Sequence, residues 1–533
     1  MSGTDAGGAR TGAGLRLTWV QPEDLIGHEL RQAGEEGREV AGIAARWYAA
    51  GGTAAPVRAG ASPVPVPREL RALAEELMAR IAEVPEAADR AEPTELGEIV
   101  AACPEWPGAR VYDGDPVALE KRLEAAWRGR AAGCVLGKPV EKLPLDGIRA
   151  LARAAGNWPL RTWFTAHGVP ADLLAAYPWN RRSAGSCLAE NIAGAPEDDD
   201  LDHPVLTLEL LLRHGRGFTT ADLAALWLEQ LPAGKLFTAE RVAYANLLRG
   251  LEPPETARHR NPFREWIGAL IRADVHGWTH PGDPAGAAAQ AWRDAVLSHT
   301  RNGVYGAMFA AAVLAEATGT AGGGGTARPG GFAGARAVHH CLATGLRVVP
   351  PGSRLARAVR EALALARAHA DFDTVVDALH AAHRGTHWVH VVPNTALLTA
   401  ALTHAALAVE AGAEEDFFTA AVTRTVSGGW DTDSNGATAG SVAGVLHGVP
   451  GVWTAPLGNR WRTAVTGSWN GPGETGADYD TLARLTTELA LAPEAADDTT
   501  ARRPAAGERV LVRDVAATDG EAPPPTATRS PTP

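Results

Sequence analysis

The chain has 533 residues, a formal net charge of −12, 45% hydrophobic and 21% charged residues, enough material for a large globular core and, by length, roughly three domains. So acidic a chain gains little from counterion release, which argues against a general nucleic-acid binder. Four scattered cysteines (Cys103, Cys134, Cys187 and Cys341), with no CxxC pair, argue against a disulfide framework or a zinc ribbon and fit a cytoplasmic setting.

Residues 1–15 lack an apolar segment and read as disordered, so no signal peptide is expected. Residues 17–50 contain helical material, and residues 51–67 (GGTAAPVRAGASPVPVP) form a Pro/Gly/Ala linker. Beyond Pro67, residues Leu70, Leu73, Leu77, Ile81 and Val84 fall on one helical face. Residues 85–118 are broken by proline and glycine, and 1–118 is read as an accessory N-terminal region. From 119 the text turns densely helical: Leu119–Arg130 leads into Gly133-Cys-Val-Leu-Gly137-Lys-Pro-Val-Glu141, and a capping-box start at Thr219–Asp222 precedes an apolar helical face. Further helices are expected over 240–250, 264–274, 285–298, 303–318, 353–369, 373–383, 394–410, 416–426 and 435–447. Gly322–Gly334 reads as a flexible surface insertion, and 494–533, rich in Ala, Thr and Pro, as a disordered tail. No series of alternating strands is visible, and no apolar run reads as a membrane span. The expected architecture is all-α, one compact multi-helix bundle over 119–493 with a helical N-terminal extension.

Two acidic segments carry the chemistry. Ser427–Gly448 opens as a polar turn containing Gly428, Gly429, Trp430, Asp431, Asp433 and Ser434, then continues in very small residues suited to a closely packed helix. Carboxylate and hydroxyl oxygens suit hard cations such as Mg²⁺ or Mn²⁺; the competing reading is a helix cap with a spare aspartate. The second segment, Glu197-Asp198-Asp199-Asp200-Leu201-Asp202, precedes the apolar helix Val205–Arg213. Acids at a helix N-terminus are favoured by the macrodipole, yet five carboxylates in six residues repel one another unless solvated or neutralised. Two such segments could converge on a pair of divalent ions if two helix N-termini face each other inside the bundle. His383, His387 and His390 share a helical spacing compatible with zinc, but Arg384 stands where HExxH requires glutamate, so ordinary packing is the preferred reading. No GxSxG, GxGxxG or GxxxxGK[ST] motif suggests a serine hydrolase or a nucleotide loop.

With these segments in order, the stretch of about 119–490 resembles the ADP-ribosylglycohydrolase family. Gly133–Glu141 is similar to its GDxxGxxxE, Asp198–Leu201 to its Thr-Asp-Asp-Thr motif, Gly268–Arg272 with Leu297–His299 to a GAxMR segment and a later T-H pair, and Gly428–Ser434 to its GGDTDT. The resemblance implies an all-α hydrolase that cleaves the C1″ glycosidic bond of an ADP-ribosyl group on a protein or small-molecule acceptor, using two Mg²⁺ or Mn²⁺ ions. It implies Asp199, Asp200, Asp431 and Asp433 as metal ligands, with Asp198 and Ser434 as further oxygen donors. Glu141, Asp199 and Asp433 are implied in catalysis, and Gly268, His299, Gly428, Gly429 and Trp430 in substrate binding. No nucleic acid or membrane partner is implied. The chain departs from the pattern at Cys134, where the family has aspartate, and at Asp198 and Leu201, where it has threonine. These departures motivate the alternative of a non-catalytic ADP-ribose or nucleotide-binding module on the same scaffold.

Overall fold

Gly129, Gly133 and Gly137 recur at every fourth residue, and so do Thr432, Gly436, Gly440 and Gly444. Residues four apart share one face of a helix, so each segment presents a stripe with almost no side chain. The computed structural model, which describes residues 17–55, 65–85, 92–320, 334–412, 416–466, 470–471, 474–475 and 477–493, brings the two stripes together. Helices Pro116–Gly137 and Thr432–His447 run antiparallel in backbone contact. A Cβ on Gly133 would overlap the Gly436 carbonyl, one on Gly129 the Gly440 carbonyl, and one on Gly137 the Thr432 carbonyl. The Thr432 hydroxyl closes the seam by donating to the Gly137 carbonyl at 2.8 Å.

Around this pair lie the buried helices Arg301–Gly319, Val391–Glu410 and Phe417–Ser427. Val391–Glu410 has the length and apolar character of a membrane span, but 89% of its apolar window is buried inside the protein; a helix apolar all round belongs in a core. Among the described residues the sole strand pairing is Asn470–Gly471 with Glu474–Thr475, so the fold is all-α. The helices expected over 285–298, 303–318, 353–369 and 373–383 form with small shifts, as Pro284–Ala295, Arg301–Gly319, Arg354–Ala368 and Phe372–Ala382. The expected helix over 264–274 does not. Ile267–Arg272 is a 3₁₀ turn followed by the short helix Asp274–Trp278, because Arg272 is drawn into a buried cluster with Asp294 and Glu240 at 2.5 and 2.6 Å. Helix Leu145–Ala154, which aligned Ile148 and Leu151 inward, was absent from the sequence reading.

Residues up to Ala492 cluster as one compact unit. Within it the N-terminal helix Pro22–Glu35 is buried along most of its length. Its Glu29 and the following Glu36 clasp the Arg264 guanidinium, with contacts of 2.7–3.1 Å. Helix Arg68–Glu83 packs against it through Leu77 and Ile81. The centre of the linker expected at 51–67, the Gly322–Gly334 insertion except Gly334, and the tail at 494–533 lie outside the described residues.

Adding a methyl at the seam leaves the two backbones nowhere to go. Gly133→Ala or Gly436→Ala is expected to destabilise the fold by about 1–3 kcal/mol through overpacking. Gly97→Ala, on a helix position with open space around it, is expected to be neutral or slightly stabilising. Thermal or urea unfolding of the three variants measures the contrast.

Candidate metal centre

The seam sets the geometry of the site. The Pro116–Gly137 helix ends where the Thr432–His447 helix begins, and a 3₁₀ turn, Lys138–Val140, carries the chain directly to Glu141. Glu141 therefore meets Asp431 and Asp433, and one oxygen from each lies within 4.8 Å of the others. The Asn180 amide donates to Glu141 Oε2 at 2.7 Å, and the Lys142 ammonium lies 2.6 Å from Oε1.

The third contributor is the N-terminus of the helix Asp199–His214, capped by Asp198, whose Oδ1 accepts the Asp200 amide at 3.1 Å. Pro204 lies inside this helix. Having no N–H, it leaves the carbonyl four residues earlier unbonded. That carbonyl is Asp200's, and Arg130 Nε donates to it at 2.8 Å. The same guanidinium reaches Asp200 Oδ1 at 3.4 Å, Asp274 at 2.7 Å and the Ile271 carbonyl at 2.7 Å. Arg130 is thus a fully buried clamp on the acidic helix start. Asp200 Oδ2 accepts the Ser434 hydroxyl at 3.0 Å, which joins the two acidic segments.

These groups line a cavity of about 130 Å³ that also carries Asp199, Ser183, Arg182, Glu240 and Gly268, with Trp19, Phe237 and Trp388 as aromatic wall. Several of its carboxylates hold protons unusually tightly. Burial, then the charge of Asp433, raises Asp431 well above the ordinary range and moves Asp200 to about 7. Burial, then Asp200, raises Asp199 well above it, and Glu141 is raised by burial and by Asp433. Buried carboxylates that repel one another are stabilised by protons or by cations. Hard oxygen donors converging at this spacing suit a divalent ion.

Glu141, Asp198, Asp199, Asp200, Gly268, Asp431, Asp433 and Ser434 are therefore brought together. The other residues implied in substrate binding stand elsewhere. His299 is fully buried; its Nδ1 lies 2.8 Å from the Ser298 hydroxyl and its Nε2 4.0 Å from Glu240, so it stands behind Glu240 in the core. Gly428, Gly429 and Trp430 are not in the cavity lining. They form the turn that aims Asp431 inward: Gly429 and Trp430 adopt positive φ of 83° and 55°, and Trp430 stacks on His380 at 3.8 Å. Among the described residues the histidine trio forms no set of close donor atoms. His383 meets the edge of Trp430, His387 stacks on Trp266 at 4.1 Å, and His390 lies 3.2 Å from Glu35. Glu197 pairs with Lys235, and Asp202 Oδ1 accepts from Thr463 and Ala464 at 2.7 and 2.8 Å, so neither serves the cavity.

Sequence reading missed four polar residues. Lys138 ion-pairs with Asp198 inside the cavity, and its place within the Gly133–Glu141 motif was a usable signal. Asn394 accepts the Asp431 amide at 3.0 Å and the Asn435 side chain at 2.6 Å; buried in an apolar helix, it gave none. Arg130 and Asn180 were likewise silent.

A family model described as ADP-ribosylglycohydrolase matches residues 115–496. One similar solved structure is described as an ADP-ribosylglycohydrolase-related protein complex; it is 18% identical, with a TM-score of 0.39, and the match covers 70% of this chain and 98% of that one. No curated protein matches.

Asp200 and Asp202 each have a folded-state pKa of about 7 against an ordinary 3.8. Between those values the unfolded chain sheds protons that the folded chain keeps, so the contribution of these two groups to metal-free stability is full below about 4 and is lost as pH rises through 7. A divalent cation in the Glu141–Asp431–Asp433 set competes with the raised protons of Asp431 and Glu141, so its stabilising effect grows as pH rises. Melting temperatures in chelator and in excess Mn²⁺, taken from pH 5 to 8, are expected to diverge as pH rises.

Proposed function

The chain belongs to the ADP-ribosylglycohydrolase family, and from that premise we propose that it hydrolyses the C1″ glycosidic bond of an ADP-ribosyl group on a protein or small-molecule acceptor, with Mg²⁺ or Mn²⁺. The observation that carries this reading is the convergence of Glu141, Asp198–Asp200, Asp431 and Asp433 on one cavity from segments far apart in the chain.

Glycoside hydrolysis passes through a transition state with oxocarbenium character and requires carboxyl groups beside the reacting carbon. Glu141, Asp431 and Asp433 would hold a divalent cation. Bound there, the cation supplies Lewis-acid charge to ribose hydroxyls and eases the ionisation of water. Asp199, with raised proton affinity and outside the three donors of that cation, is suited to accept the proton of the attacking water and return one to the leaving group. Arg182 and Lys142 in the lining bring positive charge for a diphosphate. Trp19, Phe237 and Trp388 offer faces for an adenine or ribose ring. Glycine at 268 keeps the wall close to Glu240, whose carboxylate a Cβ there would overlap.

The decisive assay follows release of ADP-ribose from modified arginine, modified serine and a small-molecule adduct with Mg²⁺ or Mn²⁺ present. Wild type is expected to turn over at least one of them. Asp431→Asn, which removes a ligand charge while easing repulsion in the fold, is expected to be slower by about 100-fold or more. Metal-loaded wild type that binds ADP-ribose and cleaves none of the three would instead support the non-catalytic binding module. Absence of both binding and turnover would reject both readings.

A further inference from the structure

Two distinct sets of close donor atoms meet at the cavity, Glu141–Asp431–Asp433 and Cys134–Asp198–Asp200, the Cys134 sulfur lying buried behind the lining; the donor atoms within each set lie within 4.8 Å of one another. They are not equivalent. Resting on the metal-dependent reading above, we propose that the site takes one divalent cation, in the Glu141–Asp431–Asp433 set, and that the Lys138 ammonium serves as a built-in cation in the place of a second.

In the Cys134–Asp198–Asp200 set the oxygens are already engaged. Asp198 Oδ2 holds Lys138, while Oδ1 accepts the Asp200 amide and lies 3.5 Å from the Cys134 sulfur. Asp200 Oδ1 faces Arg130, and Oδ2 accepts the Ser434 hydroxyl. Two permanently basic side chains thus stand on two carboxylates. A divalent ion added there would sit against an ammonium at close range in a buried site, where like charges repel strongly. The third donor, a thiol, is soft and poorly matched to Mg²⁺ or Mn²⁺.

Lys138 has little freedom to leave. It is 8% exposed, it begins the 3₁₀ turn that follows the glycine seam, and its carbonyl accepts the Ser183 hydroxyl at 2.9 Å. In the Glu141–Asp431–Asp433 set, by contrast, the sole direct ion pair among the described residues is Lys142 on Glu141, at the rim with 44% of its side chain exposed; Lys138 acts on Glu141 and Asp433 only through its charge, without pairing with either. Asp431 and Asp433 are 6% and 5% exposed, and among the described residues neither has an ion-pair partner. Buried carboxylates without a counter-charge are costly, and there one divalent ion meets donors that no cation already fills.

The test is Mn²⁺ stoichiometry by elemental analysis and electron paramagnetic resonance, on chelator-stripped, Mn²⁺-reloaded full-length chain. Wild type is expected to bind one Mn²⁺ with an uncoupled six-line spectrum. Lys138→Met and Lys138→Gln, which leave Asp198 without its cation, are expected to bind two with an exchange-coupled spectrum. Circular dichroism checks that both variants are folded. Two ions in wild type would overturn the proposal without any variant, and leave the metal-dependent reading standing. One ion in wild type and in both folded variants would also overturn it, because the lysine would not be what limits occupancy. No ion in wild type would remove the reading on which it rests.

Discussion

The backbone contact between Pro116–Gly137 and Thr432–His447 is the constraint from which the site follows. Side chains ordinarily keep helix axes 8–10 Å apart. Glycine at the facing positions removes that spacer, and the carbonyls of one helix fill the space a Cβ would occupy on the other. An approach this close permits one register: a slip by a single residue would bring Arg130 or Cys134 onto the glycine face. Register in turn determines which residues emerge at the seam's end. There the chain leaves one helix as Lys138 and Glu141 and enters the other as Asp431 and Asp433. Carboxylates nearly three hundred residues apart in sequence are thereby held together without relying on a flexible loop.

Close packing of helices also carries charge inward, and the structure balances it locally. Arg130 answers the missing N–H of Pro204 and the acids of the Asp199–His214 helix start. Arg272 holds Asp294 and Glu240 behind the cavity and lies over the Trp227 ring at 5.1 Å. Arg264 joins Glu29 and Glu36 of the N-terminal segment to the body. Each guanidinium makes several charge-assisted bonds, which offset the desolvation that a singly bonded buried cation would suffer. Asp431 and Asp433 stand apart from this pattern. Among the described residues neither forms a direct ion pair with an arginine or lysine, which leaves their oxygens open to a cation.

The elements most legible in the sequence were those with a local physical signature. Amphipathic periodicity gave helices such as Arg354–Ala368, and runs of acid beside a helix start gave both halves of the cavity. The small-residue run after Asn435 announced a closely packed helix, although its partner, carrying Gly129, Gly133 and Gly137, was not identified. What stayed hidden depends on pairings across the chain. Arg130 in a helix that reads as ordinary, Asn394 in an apolar run, and the 3₁₀ geometry at Ile267–Arg272 are determined by neighbours that no local window contains. Trp430 shows the limit from the other side. The family resemblance implied a ligand contact for it, but the positive φ at 429 and 430 that turns Asp431 inward turns the indole away onto His380.

The N-terminal residues, whose role the sequence left blank, reach the same cavity. Trp19, held edge-on against Phe237 with the Arg241 guanidinium 5.1 Å from its ring, forms part of the lining. The segment that follows it is anchored by Arg264 and by the Arg71–Glu23 ion pair. A tryptophan fixed by an edge-on ring and a cation loses little further freedom when a planar ligand packs on it, so its contact area is available at low entropic cost. The acidic floor is built from helix ends within residues 115–496, the span that the family model matches, whereas one residue of the aromatic wall, Trp19, comes from outside it. Part of the wall thus comes from a different part of the chain than the chemistry, and a change at Trp19 can alter what fits the cavity without touching the carboxylates beneath it.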